Sequence, residues 1–281
     1  MYRPGEIREH YNSYGLREWD RLEKTVHGRV EYEVTMHILE RHLTPSSVVL
    51  DAGGGPGRYS IELARRGHNV SLLDISDEQL SIANSKIDEA GVRRNIVDIK
   101  RMDICDMKDI PDHSFDAVLC LGGALSYVRD QHVRALKELV RVGKPGALLA
   151  LSVMSLYGTF HLIGALDAAN FLENISEHVE WDPDTPFPEV MNSRVGSDEW
   201  HAPMTLYTSS YMRKILETEN CNVVEMASTN TITSSYGKGL EKISTSKQGF
   251  EMLLRLEKQF CLRPGLVDMG EHLISVARTP E

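Results

Sequence analysis

The chain is poor in several things, and each shortage removes a class of protein. Its four cysteines, Cys105, Cys120, Cys221 and Cys261, contain no C-x-x-C pair. Neither a disulfide frame nor a zinc site is expected, and the scatter fits reduced thiols in a cytoplasmic protein. No stretch reaches the ~18 consecutive apolar residues of a spanning helix, and the first residues are polar and mixed in charge. No membrane span, secretory signal or membrane partner is expected. Positive charge is in deficit: 31 Lys and Arg face 41 Asp and Glu, a net charge of −10. That balance argues against a phosphate-binding surface, because nucleic-acid affinity rests largely on cations neutralising phosphates. Nucleic acid is therefore not expected as a partner. No pairing of acidic residues and no histidine cluster announces a metal.

What is present is an ordinary globular composition, 41% hydrophobic and 26% charged over 281 residues, organised around one stretch. Residues 48–60 read Val-Val-Leu-Asp-Ala-Gly-Gly-Gly-Pro-Gly-Arg-Tyr-Ser. Three apolar residues make a short buried strand, glycines follow at 53, 55 and 57, and a helical pattern begins at Tyr59. A strand, a glycine turn and a helix N-terminus form a nucleotide-sized cradle whose amide N–H groups are expected to face a ligand. The dinucleotide fingerprint G-x-G-x-x-G needs a third glycine where this chain has Arg58, so that spacing fails.

The spacing Asp51-x-Gly53-x-Gly55-x-Gly57 resembles the first motif of the class I S-adenosylmethionine-dependent methyltransferases. Their cofactor has no pyrophosphate, so the loop beneath it need not focus helix charge on an anion. Residues 69–76 read as a second strand ending in Asp74, whose carboxylate offers two adjacent acceptors for ribose hydroxyls. Ile75 is placed to lie on the adenine face. The resemblance further implies that Asp103 accepts from the adenine amino group, that Ile104 contacts the ring, and that Leu121 shields it. Asp51, Gly53, Gly55 and Gly57 complete the expected cofactor set.

Elsewhere the pattern alternates strands (96–100, 115–121, 147–153) with amphipathic helices, which implies parallel pairing with right-handed crossovers. The expected fold is α/β: a seven-stranded, mostly parallel, doubly wound sheet of the Rossmann-like methyltransferase kind. Strand six is placed at 222–226 and an antiparallel strand seven at 271–277, at the sheet edge. Residues 1–44 read as three helices (6–14, 16–24 and 29–43). The resemblance implies that they lie over the cofactor as a lid, with Tyr11 and Tyr14 covering the adenosine or the substrate, while Trp19 fits the apolar stripe of a packed helix. Residues 45–281 form the methyltransferase domain, with substrate-cap insertions at about 155–205 and 229–270. Contact between copies in a homo-oligomer is the other use for these insertions.

Methyl transfer from a sulfonium is an in-line displacement, so the protein must align the partners and exclude water. A base is needed only if the acceptor carries a proton. His201 and His161 are the candidate bases, and Tyr157 and Tyr207 candidate orienting groups. Leu121-Gly-Gly-Ala124 lacks the Asp/Asn-Pro-Pro-aromatic stretch of enzymes that methylate nucleobase amines. With the acidic charge, this favours a small-molecule acceptor. The alternatives are a methyltransferase acting on RNA or protein, which a basic rim at the pocket mouth would mark, or a non-catalytic S-adenosylmethionine-binding protein.

Overall fold

A computed structural model describes residues 1–162, 182, 185–190, 194–195, 198–199, 202–236 and 239–281. The chain opens with helices α1 (Pro4–Tyr14), α2 (Leu16–Lys24) and α3 (Val26–His42). Strand β1 (Val48–Ala52) then leads into α4 (Arg58–Arg65), β2 (Asn69–Asp74) into α5 (Asp77–Ala90), and β3 (Ile96–Arg101) into β4 (Phe115–Cys120). After β4 come α6 (Ala124–Tyr127), α7 (His132–Val142) and the long β5 (Gly143–Met154). The short strands β6 (Phe187–Val190), β7 (Arg194–Val195), β8 (Asp198–Glu199) and β9 (Met204–Leu206) pair as β6 with β9 and β7 with β8. Strands β10 (Asn222–Thr229) and β11 (His272–Arg278) complete the main sheet.

That sheet has seven strands in the order β10-β11-β5-β4-β1-β2-β3. Only β11 runs antiparallel to its neighbours, β5 and β10. It lies one strand in from the edge, where the sequence had placed it at the edge itself. The alternation of side chains along each strand feeds two cores. Val49, Ala117 and Leu119 face the layer built from α3, α4 and α5, whereas Leu50, Val118 and Cys120 face α7 and helix Ser209–Thr218. Burying each valine or leucine among them contributes ~1.5–3 kcal/mol, and this two-sided burial is what a parallel sheet requires.

Local signals set the boundaries. Ser76 caps α5 by accepting from the Gln79 N–H at 3.1 Å, and Gly91 ends the helix in a left-handed turn at φ +68°. Thr25 caps α3 by accepting from the Gly28 N–H. Gly28 is required there because α2 and α3 cross so closely that a Cβ would lie 1.8 Å from the Arg21 carbonyl oxygen. In the second excursion, the fully buried Glu257 of helix Lys247–Phe260 accepts from the N–H groups of Thr231, Ile232 and Thr233, which pins the turn after β10. Asp116 ties the opposite end of the sheet, accepting from the Val48 N–H and from Lys144. All four cysteines are free and buried.

Candidate active site

Two cavities open at the carboxyl ends of the strands. The first lies between the glycine bend and helices α1 and α2. Gly53, Gly54 and Gly55 form its floor, Asp74 and Ile75 one side, Met102, Asp103 and Ile104 the far end, and Leu121 and Gly122 the other side. Tyr2, Ile7, Tyr11, Glu18 and Arg21 close it from the N-terminal helices. The close floor demands glycine: a Cβ at Gly53, whose φ is +75°, would sit 2.7 Å from the Ala124 Cβ.

The bend does not present donors, contrary to the expectation from its sequence. The N–H groups of Gly53 and Gly54 donate to the Leu73 carbonyl, that of Gly57 to Gly54, and that of Gly55 to Asp74 Oδ2 at 2.9 Å. The bend offers room instead of charge, which suits a cofactor without phosphates. Asp74 Oδ1 accepts from the Ser76 N–H at 2.8 Å, so each carboxylate oxygen has one protein donor and keeps acceptor capacity toward the cavity. Burial pushes this carboxyl up to about 6 against the pull of those two N–H groups, with Glu18 and Asp51 adding to the rise.

Of the residues expected at the cofactor, Gly53, Gly55, Asp74, Ile75, Asp103, Ile104, Leu121 and Tyr11 all line the first cavity. Asp51 does not. It is fully buried beneath the bend, where it accepts from Ser60 Oγ at 2.7 Å, and burial pushes its carboxyl up to about 6. Gly57 also lies outside, packed on Leu72 and Ala83, where it admits α4 close to the sheet. Tyr14 lines the second cavity and not the first. His161 is exposed and touches neither cavity, and His201 lies outside the described residues. Tyr207 is sealed in the core and Tyr157 is largely exposed, so neither faces a cavity. Trp19 stacks under the Arg58 guanidinium, away from both.

The second cavity, about 430 Å³, adjoins the first and shares Tyr11, Glu18, Arg21, Gly122 and Tyr127 with it. Its walls come from α1–α3, the end of β5 and the start of β11. At the mouth, the His10 and Tyr14 rings stack at 5.8 Å and the Arg17 guanidinium lies 4.6 Å over Tyr14. At the shared wall, Arg21 donates to Glu31 at 2.5 Å and to Glu18 at 3.0 Å. Burial alone would lower its pKa, but the two carboxylates raise it and hold it charged. Beyond Glu31 stands His272, with Nε2 at 3.7 Å from Glu31 Oε2 and Nδ1 at 3.1 Å from Ser152 Oγ. Tyr2, Arg21, Glu31, Tyr127 and His272 carried no signal in the sequence, because each reaches its cavity only through contacts between distant segments. Tyr2, for example, donates its hydroxyl to Asp103 at 3.0 Å.

A glycine bend after β1, an acid at the end of β2 and a second chamber beside β4 define the Rossmann-like methyltransferase arrangement. Comparison with known proteins agrees. Residues 49–146 match the family described as a methyltransferase domain. A tRNA 5-carboxymethoxyuridine methyltransferase of Escherichia coli is 26% identical over 92% of this chain and 91% of its own. A ubiquinone biosynthesis O-methyltransferase of Hahella chejuensis is 36% identical over 41% of this chain and 47% of its own. The solved structure of magnesium protoporphyrin IX methyltransferase from Synechocystis, with bound SAH, superposes with a TM-score of 0.59 at 18% identity, covering 98% of both chains. The chain is a class I, Rossmann-like, S-adenosylmethionine-dependent methyltransferase. Among the described residues, no helix is long and apolar enough to cross a membrane.

Proposed function

We propose that the enzyme moves the methyl group of S-adenosylmethionine onto a base of single-stranded RNA that reaches into the second cavity. The observation that carries this reading is the tRNA-modifying relative, which aligns along 92% of the chain and 91% of its own length. The His10–Tyr14–Arg17 stack at the mouth supports it, since unstacked bases are commonly held on aromatic and guanidinium planes. A nucleobase is neutral, so an acidic protein can accept it while the phosphates stay outside. This departs from the small-molecule acceptor expected from composition. The net charge of −10 still favours a metabolite as the second reading.

In this reading, the first cavity holds the cofactor. Asp74 accepts from the ribose hydroxyls, and Asp103 from the adenine amino group. Ile75, Ile104 and Leu121 pack on the ring. Gly53 and Gly55 admit the methionyl arm, whose ammonium faces Glu18. Residues 1–44 act as the lid and residues 45–281 as the methyltransferase domain, with 155–205 and 229–270 as cap. The sulfonium supplies an electrophilic methyl group. The chain's part is to align the acceptor at the wall common to both cavities and, through Tyr11 and Tyr127, to keep water from it.

The test is transfer of radiolabelled methyl from S-adenosylmethionine to total small RNA and, separately, to an RNA-free metabolite extract. Label in RNA nucleosides is expected. Label confined to the metabolite fraction would sink the RNA reading.

A further inference from the structure

The second cavity has a charge pattern that selects among acceptor atoms. Its arginines and its lysine are already engaged: Arg21 by Glu18 and Glu31, and Lys24 by Asp20. Arg17 donates to the carbonyls of Ser13 and Tyr14. Among the described residues of the inner wall, Glu31 and Glu271 face the space with His272 beside them. A carboxylate acceptor entering there would meet two carboxylates and, among the described residues, no uncommitted arginine or lysine; the buried His27 Nε2, elsewhere on the cavity wall, is a basic atom without a hydrogen-bond partner. A neutral group carrying a proton would meet acceptors.

His272 is built to receive that proton. It is 3% exposed, at the first residue of β11, where it pairs across the ladder with Met154 of β5. Its Nδ1 is engaged by Ser152 Oγ at 3.1 Å. Its Nε2 makes no bond within hydrogen-bond range among the described residues; Glu31 Oε2, which Arg21 holds, lies 3.7 Å away. A ring nitrogen fixed on one side, unclaimed on the other and backed by a carboxylate is the arrangement a general base requires.

We infer that the acceptor is a proton-bearing oxygen or nitrogen, not a carboxylate, and that His272 is its base. This rests on the reading that the second cavity holds the acceptor. The acceptor lone pair forms the new bond to the methyl carbon, and the carbon–sulfur pair leaves on sulfur. The acceptor proton passes to His272 Nε2, and the imidazolium faces Glu31 until solvent takes the proton. Atoms and charge balance with no further reactant: S-adenosylmethionine gives neutral S-adenosylhomocysteine, and one proton is released.

The experiment uses the full chain, radiolabelled S-adenosylmethionine, and the same RNA and metabolite fractions, each product then being treated with mild alkali. A methyl ether or methylamine survives, whereas a methyl ester releases volatile methanol. The expected result is alkali-stable label. His272→Asn should lower kcat on the order of 100-fold, with S-adenosylmethionine affinity unchanged as the check of folding. In His272→Ala, added imidazole should restore part of the rate. Methanol release, or a wild-type kcat in His272→Asn, overturns the inference and leaves the RNA reading intact if the label was in RNA. Alkali-stable label found only in metabolites overturns the RNA reading and leaves His272 standing. No label in either fraction removes both.

Discussion

The two cavities share one wall but are made of different materials. The first is floored by backbone and lined by a single short run following each of β1, β2, β3 and β4, with Asp74 at its side, Asp103 at its far end and Glu18 among the N-terminal residues that close it. The second is walled by side chains of α1–α3 and by residues near 154 and 272, many of them ionisable. Specific geometry in the first comes from φ angles and glycine clearances. In the second it comes from ion pairs, Arg21 with Glu18 and Glu31 above all. On the proposed reading, the cofactor is held by a local loop, while the acceptor side is free to vary with the helices that build it.

This contrast can be broken at several points. The largest effect is expected from Gly28→Ala. The new Cβ would collide with the Arg21 carbonyl at 1.8 Å, so α2 must part from α3 and the second cavity loses its wall. A loss of ~3 kcal/mol is expected in chemical denaturation, and an unchanged midpoint would show that the crossing has slack. Next is Asp74→Ala, which should weaken S-adenosylmethionine by ~1.5–3 kcal/mol in calorimetry while leaving acceptor KM unmoved. An unchanged affinity would remove Asp74 from the ribose.

Asp51 and Asp74 also set a pH dependence. Both carboxyls sit at about 6 in the fold against 3.8 unfolded, so the folded state takes up protons first as pH falls. Their ionised forms cost stability above about 6, and that cost fades as pH drops from there toward 3.8. Asp51→Asn should raise stability at pH 8 by ~1–2 kcal/mol and flatten this dependence in thermal melts taken across the window. A steeper slope would contradict the sign. Cofactor affinity should move the other way, falling as pH drops through about 6, because a protonated Asp74 accepts fewer hydroxyls. The smallest effect is on the acceptor side alone. Tyr14→Leu should raise the KM for RNA by ~1 kcal/mol with cofactor affinity intact, and an unaltered KM would discount the stack at the mouth.

The same contrast explains what could be read before the structure. The alternation of apolar strands and capped helices is local, so the Rossmann-like order, the Ser76 cap and the Gly91 stop were legible. So were Asp74, Ile75, Asp103, Ile104 and Leu121, because in a parallel sheet a residue just past a strand faces the cleft whatever the rest of the chain does. Asp51 was misplaced because one position matters: at the last turn of a strand, the pleat decides whether a carboxylate points at the cavity or under the bend. The donors of the bend were misjudged for a similar reason, since the sequence cannot show that β2 supplies the carbonyl that takes them. His272 was invisible inside an apolar strand, and Glu31 inside a helix. Their proximity depends on β11 entering the sheet antiparallel beside β5, a placement fixed by tertiary packing.

The satisfied amides of the glycine bend bear on what the first cavity refuses. Adenosine triphosphate and nicotinamide dinucleotides share the adenosine that the proposed reading assigns to Asp74 and Asp103. Their phosphates would have to be stripped of water beside a floor whose Gly53, Gly54, Gly55 and Gly57 N–H groups are already occupied by carbonyls and a carboxylate. On that reading, discrimination against energy carriers would need no clash and no dedicated residue. It follows from hydrogen atoms that already point inward.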